Sequence, residues 1–424
     1  MILHFLLKGL LRDRSRSTFP MLIVIVGVAL TVVLHTWMNG AFGSMVQDSA
    51  HFQTGHIKVM TRAYKLEADQ LPNDLAMLDL TALKARLAAD YSEIEWAPRI
   101  LFGGLLDIPD EQGETRVQGP VFGMGIDLLN PESKESERLN LAGSLVRGQL
   151  PTKANEILIS EDLAQQMAIE PGARATLLGV TMYGSMATAN FTVVGTIRFG
   201  VSAMDRGALV VDLADIQRVM DMEDAAGELL GFFIDDNFSM DRAARFCESL
   251  NKTASQDDEF APVMISLADQ NGLGDMLRMA NGAGFVMVTV FMGMMFIVLW
   301  NAGLMSALRR YGEIGIRLAI GEPRGQIYRA MLLESLMLGL AGSALGTLMG
   351  LSVAWYLQVH GVDMGDIMKD STMIMSTVMR ARITPATYVI GFVPGILATL
   401  LGTATAGIGI YKRQTSQLFK ELEV

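Results

Sequence analysis

Cysteine occurs once in this chain, at Cys247, so no intrachain disulfide can form. The long polar stretch that holds it, 43–278, is large enough to bury a core without such a staple. Five scattered histidines and one cysteine make no zinc ligand set. No G-x-x-x-x-G-K-[ST] phosphate loop is present, which excludes the usual route to ATP hydrolysis, and no G-x-S-x-G nucleophile elbow occurs. Charge is also missing from whole stretches. Met279–Leu308, Ser335–Val362 and Ile383–Tyr411 carry none, and Phe19–Phe42 holds only His35 near its far end. Each reaches or exceeds the roughly 20 apolar residues that cross a bilayer. So few ionisable groups within the spans argue against a carrier with a proton relay.

These runs predict an α-helical membrane protein with four transmembrane helices and a large external α+β domain inserted between the first and second spans. The expected order is a cytoplasmic amphipathic head at 1–18, spans at 19–42, 279–308, 335–359 and 383–411, and the external domain at 43–278. A cytoplasmic elbow at 309–334, an external loop at 360–382 and a cytoplasmic tail at 412–424 complete it. Ala41-Phe42-Gly43 has the small-residue spacing of a signal-peptide cleavage site, but the apolar core before it is too long for one.

Charge sets the expected orientation. The head carries Lys8, Arg12, Arg14 and Arg16 against Asp13, the elbow five Arg against three Glu, and the tail Lys412, Arg413 and Lys420 against Glu421 and Glu423. The insert carries 19 Lys/Arg against 36 Asp/Glu. Cytoplasmic loops concentrate Lys and Arg, so both termini and the elbow are expected inside and the insert outside. The net charge of −11 therefore describes one acidic external domain and gives no sign of nucleic-acid binding.

The elbow is the most informative stretch. Tyr311, Ile314 and Leu318 recur on one helix face, with Arg310, Glu313 and Arg317 as a charged stripe beside it. Gly321 suits a helix C-terminus and Pro323 the start of another. This elbow resembles the cytoplasmic coupling helix of the FtsX-like (MacB/Lol-type) family of ABC transporter permeases. The resemblance is carried by Glu313-Ile314-Gly315-Ile316-Arg317, Ala319-Ile320-Gly321, Arg324 and Gln326-Ile327, and by the apolar, Gly-rich continuation with Glu334, Gly339, Gly342 and Gly346. It departs at Gly312, where family members often carry a basic residue.

The insert reads as a mixed domain. Strands are expected at His56–Met60, Ile100–Asp107, Thr115–Ile126, Glu156–Ser160, Arg174–Leu178, Phe191–Ile197, Ala208–Val211 and Leu229–Ile234. Helices are expected at Thr81–Ala89, Glu161–Ala168, Met240–Leu250, and from an Asp212 cap through Met220. Its second half, NEILISEDLAQQMAIEPGARATLL, FTVVGTIRFG and MDRGALVVDLADIQRVM, is similar to the external domain of MacB-like and lipoprotein-releasing permeases, the last stretch most like the lipoprotein-releasing (LolC/LolE) branch. Asn190, Asn237 and Asn251 begin N-x-Ser/Thr triplets, a number chance supplies in a chain this long.

Two further clusters have open readings. Met182, Tyr183 and Met186, in the connection Gly179–Asn190, are either an external partner-binding hairpin or an idle turn. Met364, Met368, Met373, Met375 and Met379 permit soft contact with acyl chains, or Cu(I) through thioether ligands. General methionine usage, 30 in the chain, accounts for them without a metal.

The resemblance implies a permease subunit that transmits force from cytoplasmic ABC ATPase subunits, with ATP and Mg bound there and no cofactor bound by this chain. Tyr311, Glu313, Ile314, Arg317, Leu318, Gly321 and Arg324 would form the ATPase-docking and coupling site. A second permease copy or paralogue, membrane lipid, a lipoprotein substrate and a periplasmic carrier are the implied partners. The alternatives within the family are a MacB-like exporter of small molecules or peptides and FtsX-like signalling to a cell-wall hydrolase.

Overall fold

A computed structural model of the chain describes residues 14–199, 202–236, 238–255, 257–270, 272–308, 311–363 and 378–412. Residues 1–13 of the amphipathic head expected at 1–18, Arg309, Arg310, Asn237, the tail beyond Lys412 and the loop methionines Met364, Met368, Met373 and Met375 lie outside them. Two compact units form: one gathers the described parts of 14–43, 279–362 and 378–412, and the other is built mainly from 44–278.

Helix α1, Arg14–Ser49, runs well past the apolar stretch Phe19–Phe42 and continues into a π-helical turn, Ala50–Thr54. Strand β1, Ile57–Thr61, opens the sheet unit, followed by helix α2, Leu80–Asp90, which buries Leu80 and Leu87. Then come β2, Ile94–Pro109, β3, Thr115–Ile126, β4, Leu145–Gly148, and β5, Glu156–Ser160. Helix α3, Glu161–Gln166, starts on a Ser160 side-chain cap. The hairpin β6, Arg174–Val180, with β7, Met186–Ile197, precedes β8, Ala208–Asp212. Helix α4, Leu213–Val219, is capped by Asp212, whose carboxylate accepts from the Ala214 N–H. Strand β9, Glu228–Phe233, helix α5, Met240–Thr253, and β10, Pro262–Ser266, finish the unit.

The ten strands of this unit join one sheet in the order β10-β1-β9-β2-β3-β8-β5-β7-β4, with β6 bridging β2 and β7, and Val362–Asp363 pairs with Val378–Met379 in a separate two-stranded ribbon. β2 is its spine. Its first half pairs with β9, and from Ile100 onward it pairs with β3 and β6. Phe102 sits opposite Gly123, and its ring covers that glycine so closely that no Cβ would fit. The main core runs from Ile57 and Val59 through Trp96, Ile100 and Leu106 to Ile157, Val193, Leu209 and Ile216. Asn251 on α5 exchanges two hydrogen bonds with the Met264 backbone, which ties that helix to β10 and engages the side chain of one N-x-Thr triplet.

Past Gln270 the chain forms α6, Leu273–Leu308, then α7, Tyr311–Ala319, α8, Arg324–His360, and α9, Phe392–Lys412, preceded by a short helical turn at Thr387–Ile390. Among the described residues four helices, Thr18–Thr54, Leu273–Asn301, Arg324–His360 and Thr387–Ile408, are long and apolar enough to cross a membrane. The fourth begins later than the uncharged run does. Residues 380–386 are non-helical, and the Arg382 N–H bonds Thr36 O at 2.9 Å. Pro385 disfavours helix at Thr384, and Pro394 is accommodated only in the first turn of α9.

Small residues bring these helices together. A Cβ on Gly342 would lie 2.7 Å from Val24, one on Gly346 2.8 Å from Val28, and one on Gly350 2.8 Å from Val32. Both series advance by four and rise together, so α1 and α8 run parallel. Gly391, Gly395 and Thr399 meet Thr347, Ser343 and Gly339 in the opposite order, so α9 is antiparallel to α8. Gly27 meets Met295 and Leu299, and Gly284 meets Phe42, which makes α6 antiparallel to α1. This alternation places Arg14, the elbow and Lys412 at the same end of the helical unit.

Candidate functional site: the elbow and the hairpin

The elbow is a helix closed at a defined point. The Glu322 N–H bonds Arg317 O at 3.0 Å and the Gly321 N–H bonds Leu318 O at 3.1 Å, the paired bonds of a Schellman end. Gly321 takes φ +99, a conformation only glycine adopts without strain. Pro323 stands as the N-cap of α8, one position ahead of the first turn, and its carbonyl accepts from Gln326 N at 2.9 Å. Two helices therefore meet across four residues with little slack.

The two sides of α7 differ. Ile314 is 3 % exposed and packs with Ile327, Met331 and Ala406, with Leu304 and Leu318 beside it. The face carrying Ile314 and Leu318, read from sequence as a docking surface, is thus turned onto α8 and α9 of the same chain. The reason is packing: a nine-residue amphipathic helix has a single strong apolar face, and the nearest apolar surface is its own bundle. Glu313, Arg317 and Arg324 are exposed, as are Ile316 and Ile320, the latter 81 % exposed. The Arg317 Nε lies 4.0 Å from Glu322, so the ion pair seen for this arginine bridges the helix end. Ile316 and Ile320 entered the sequence reading only as part of the resemblance pattern and not as docking residues; the signal was two isoleucines four apart on the charged side. Backbone helix includes Tyr311.

The second candidate sits on the sheet unit. The β6–β7 strands continue to Val180 and resume at Met186, so the expected connection Gly179–Asn190 shrinks to residues 181–185. Thr181 N donates to Ser185 O at 2.8 Å and Gly184 N to Thr181 O at 3.0 Å. Met182 is 8 % exposed; its N–H bonds Met220 O at 2.9 Å and its side chain joins the main core. That removes it from the expected partner-binding set, because the main core takes up its side chain. Tyr183 and Met186 are 76 % and 83 % exposed and remain available. Beside the hairpin lies an open cleft of about 830 Å³, rimmed by Glu67, Asp69, Asp74, Val180 and Tyr183. Among the described residues no cluster of His, Cys, Asp and Glu could hold a metal ion.

Four membrane-length helices among the described residues, a closed elbow between two of them and a sheet-built unit between the first two define the class: a multi-span membrane protein with a large inserted sheet domain. Comparison with known proteins makes this particular. Residues 17–244 match the MacB-like periplasmic core domain and residues 285–415 the FtsX-like permease C-terminal domain. The chain belongs to that family, the ABC-type permeases of the FtsX/MacB/LolC kind. It is 26 % identical over 365 residues to the lipoprotein-releasing system transmembrane protein LolC of Xylella fastidiosa, covering 82 % of this chain and 80 % of that one. It is 38 % identical over 66 residues, 16 % of this chain and 10 % of the other, to the macrolide export ATP-binding/permease protein MacB of Sodalis glossinidius. The crystal structure of the periplasmic region of MacB from Actinobacillus actinomycetemcomitans is 12 % identical with a TM-score of 0.33, over 50 % of this chain and 87 % of that one.

Proposed function

We propose that this chain is the force-transmitting permease subunit of an ABC system that releases lipoproteins from the inner membrane for transfer to the outer membrane. The observation that carries the reading is the alignment with LolC over most of both chains, taken with an elbow of the coupling type. ATP and Mg would be held by separate ABC ATPase subunits, whose closure presses the exposed side of α7. Because Ile314 is packed against Ile327 and Met331, that push passes into α8 and α9 without a soft step. The orientation follows from charge: Arg14, the elbow and Lys412 face the cytoplasm and the acidic sheet unit faces outward. Few spans enclose little space, so the working unit pairs two permease chains in membrane lipid, with a periplasmic carrier taking the released lipoprotein.

Purification of the tagged chain from its host in mild detergent tests this reading. An ATP-binding subunit and a triacylated lipoprotein are expected in the complex; a preparation that keeps its complexes yet holds no ATPase overturns it. The 66-residue match to the macrolide export protein supports a second reading, export of small molecules. Recovery of an adaptor protein in place of lipoprotein would select it.

A further inference from the structure

Helix α1 ends in an unusual way. A helix terminus leaves its last carbonyls without helical partners. Here Ala50 O accepts from Gly55 N at 2.8 Å, and Thr54 O accepts from the Gln270 side chain at 3.2 Å. His51 O and Phe52 O accept from the two terminal nitrogens of Arg99, at 2.7 and 2.8 Å. Arg99 belongs to β2, the spine of the sheet, and its Nε donates to Glu135 at 2.7 Å. Both side chains are 1 % exposed. Arg138 bonds the other Glu135 oxygen at 3.0 Å and reaches Glu95 at 2.7 Å. Burial pushes the Glu135 carboxyl up, but the charge and hydrogen bond of Arg99 outweigh it and hold the group below its usual range.

An arginine buried this way is a costly means of stabilising a sheet, since well-packed apolar residues often serve as well. What it supplies is geometry: a planar fork that fixes two carbonyls and a carboxylate at once. A cation also suits a helix C-terminus, and π-turns gather at functional points. The same turn is held again by His51 and Gln47 bonding Asp236, and Ala50 packs against Leu267, Leu273 and Leu277 at the start of α6. We infer that Arg99 is the positioning residue of a rigid joint, through which a displacement of α1 reaches the sheet undamped. The inference deepens the force-transmission reading and rests on it.

The test uses the full chain with its ATPase in proteoliposomes, measuring ATP hydrolysis and release of a triacylated lipoprotein together. Arg99→Met is expected to lower release per ATP about tenfold, within the usual span of coupling effects, and to leave hydrolysis within about twofold. A second variant joins Gln47→Cys and Asp236→Cys with a short, reducible bis-methanethiosulfonate linker. Native Cys247 does not compete, because burial and the nearby Asp269 push its thiol up to about 12. Linking is expected to leave release per ATP unchanged in the otherwise unaltered chain and to restore it in the Arg99→Met chain.

Unchanged coupling in Arg99→Met overturns the joint. So does reversible loss of release on linking the unaltered chain, which would mean that the joint opens during the cycle. Failure of the linker to rescue an Arg99→Met chain as protease-resistant as the parent reduces the residue to a structural role and also overturns it. If Arg99→Met does not fold, linking in the unaltered chain decides. No ATP-driven release by the unaltered complex overturns the functional reading itself, whereas normal release with an indifferent Arg99 overturns only the joint.

Discussion

At the tip of the β6–β7 hairpin two neighbouring residues face opposite ways. Met182 lies in the core and Tyr183 in solvent, with Met186 exposed two residues past the turn's glycine. Met182→Ala should destabilise the sheet unit by about 2–4 kcal/mol, the cost of emptying a core site. A Tyr183→Ala, Met186→Ala pair should leave the unfolding midpoint unchanged and weaken any external partner by direct binding assay. Equal loss of stability in both variants would contradict this division. His56 offers a second test at the same scale. Burial lowers its imidazole from 6.5 to about 4, with Asp236 pulling the other way, and Phe233 N–H donates to its Nδ1 at 2.9 Å. As pH falls below 6.5 the unfolded chain takes up a proton that the folded chain accepts only near pH 4. Stability contributed above 6.5 is therefore lost across that window, by about 3 kcal/mol. Urea-unfolding midpoints of the parent should drop between pH 6.5 and 4, and those of His56→Asn should drop less. Parallel slopes would contradict the assignment. Neither burial was legible in the sequence, where Met182 and Tyr183 read alike and His56 was one residue at a strand edge.

Among elements, the sequence was most informative where one signal sufficed. Uncharged runs located four helices, and Gly321 with Pro323 located the break between α7 and α8. Helix ends were harder to read. Helix α1 passes through Gln47 and Asp48, since its last turns are held by the sheet unit and not by apolar composition. Strands β4 and β10 were missed because each is short and finds its partner far along the chain, β10 against β1. The Arg99–Glu135 pair was invisible for the same reason. The glycine series on α8 carried real information, since Gly342, Gly346 and Gly350 each receive a valine of α1. Gly346→Leu should cost about 1–3 kcal/mol by overpacking and lower the melting temperature in detergent. Leu348→Ala, on the exposed side of the same helix, should leave it unchanged. The elbow divides similarly. Ile320→Asp should weaken association with the ATPase subunit and preserve melting temperature, whereas Ile314→Ala should lower melting temperature and coupling together. Pull-down and melting curves on one preparation separate the two.

At the scale of the whole molecule, each unit has its own buttressing: in the helical unit the elbow packs on α8 and α9, and α8 is seated along α1; in the sheet unit the last turn of the first helix is held to β2 by Arg99. Under the proposed function, energy enters from a partner ATPase and leaves as movement. The measurement that tests this most directly is ATP-dependent release of a triacylated lipoprotein from proteoliposomes containing the chain and its ATPase, compared with a Glu313→Ala, Ile314→Ala variant. The account predicts release by the parent, and in the variant continued hydrolysis and normal membrane insertion with release largely lost. Undiminished release per ATP by the variant would contradict it.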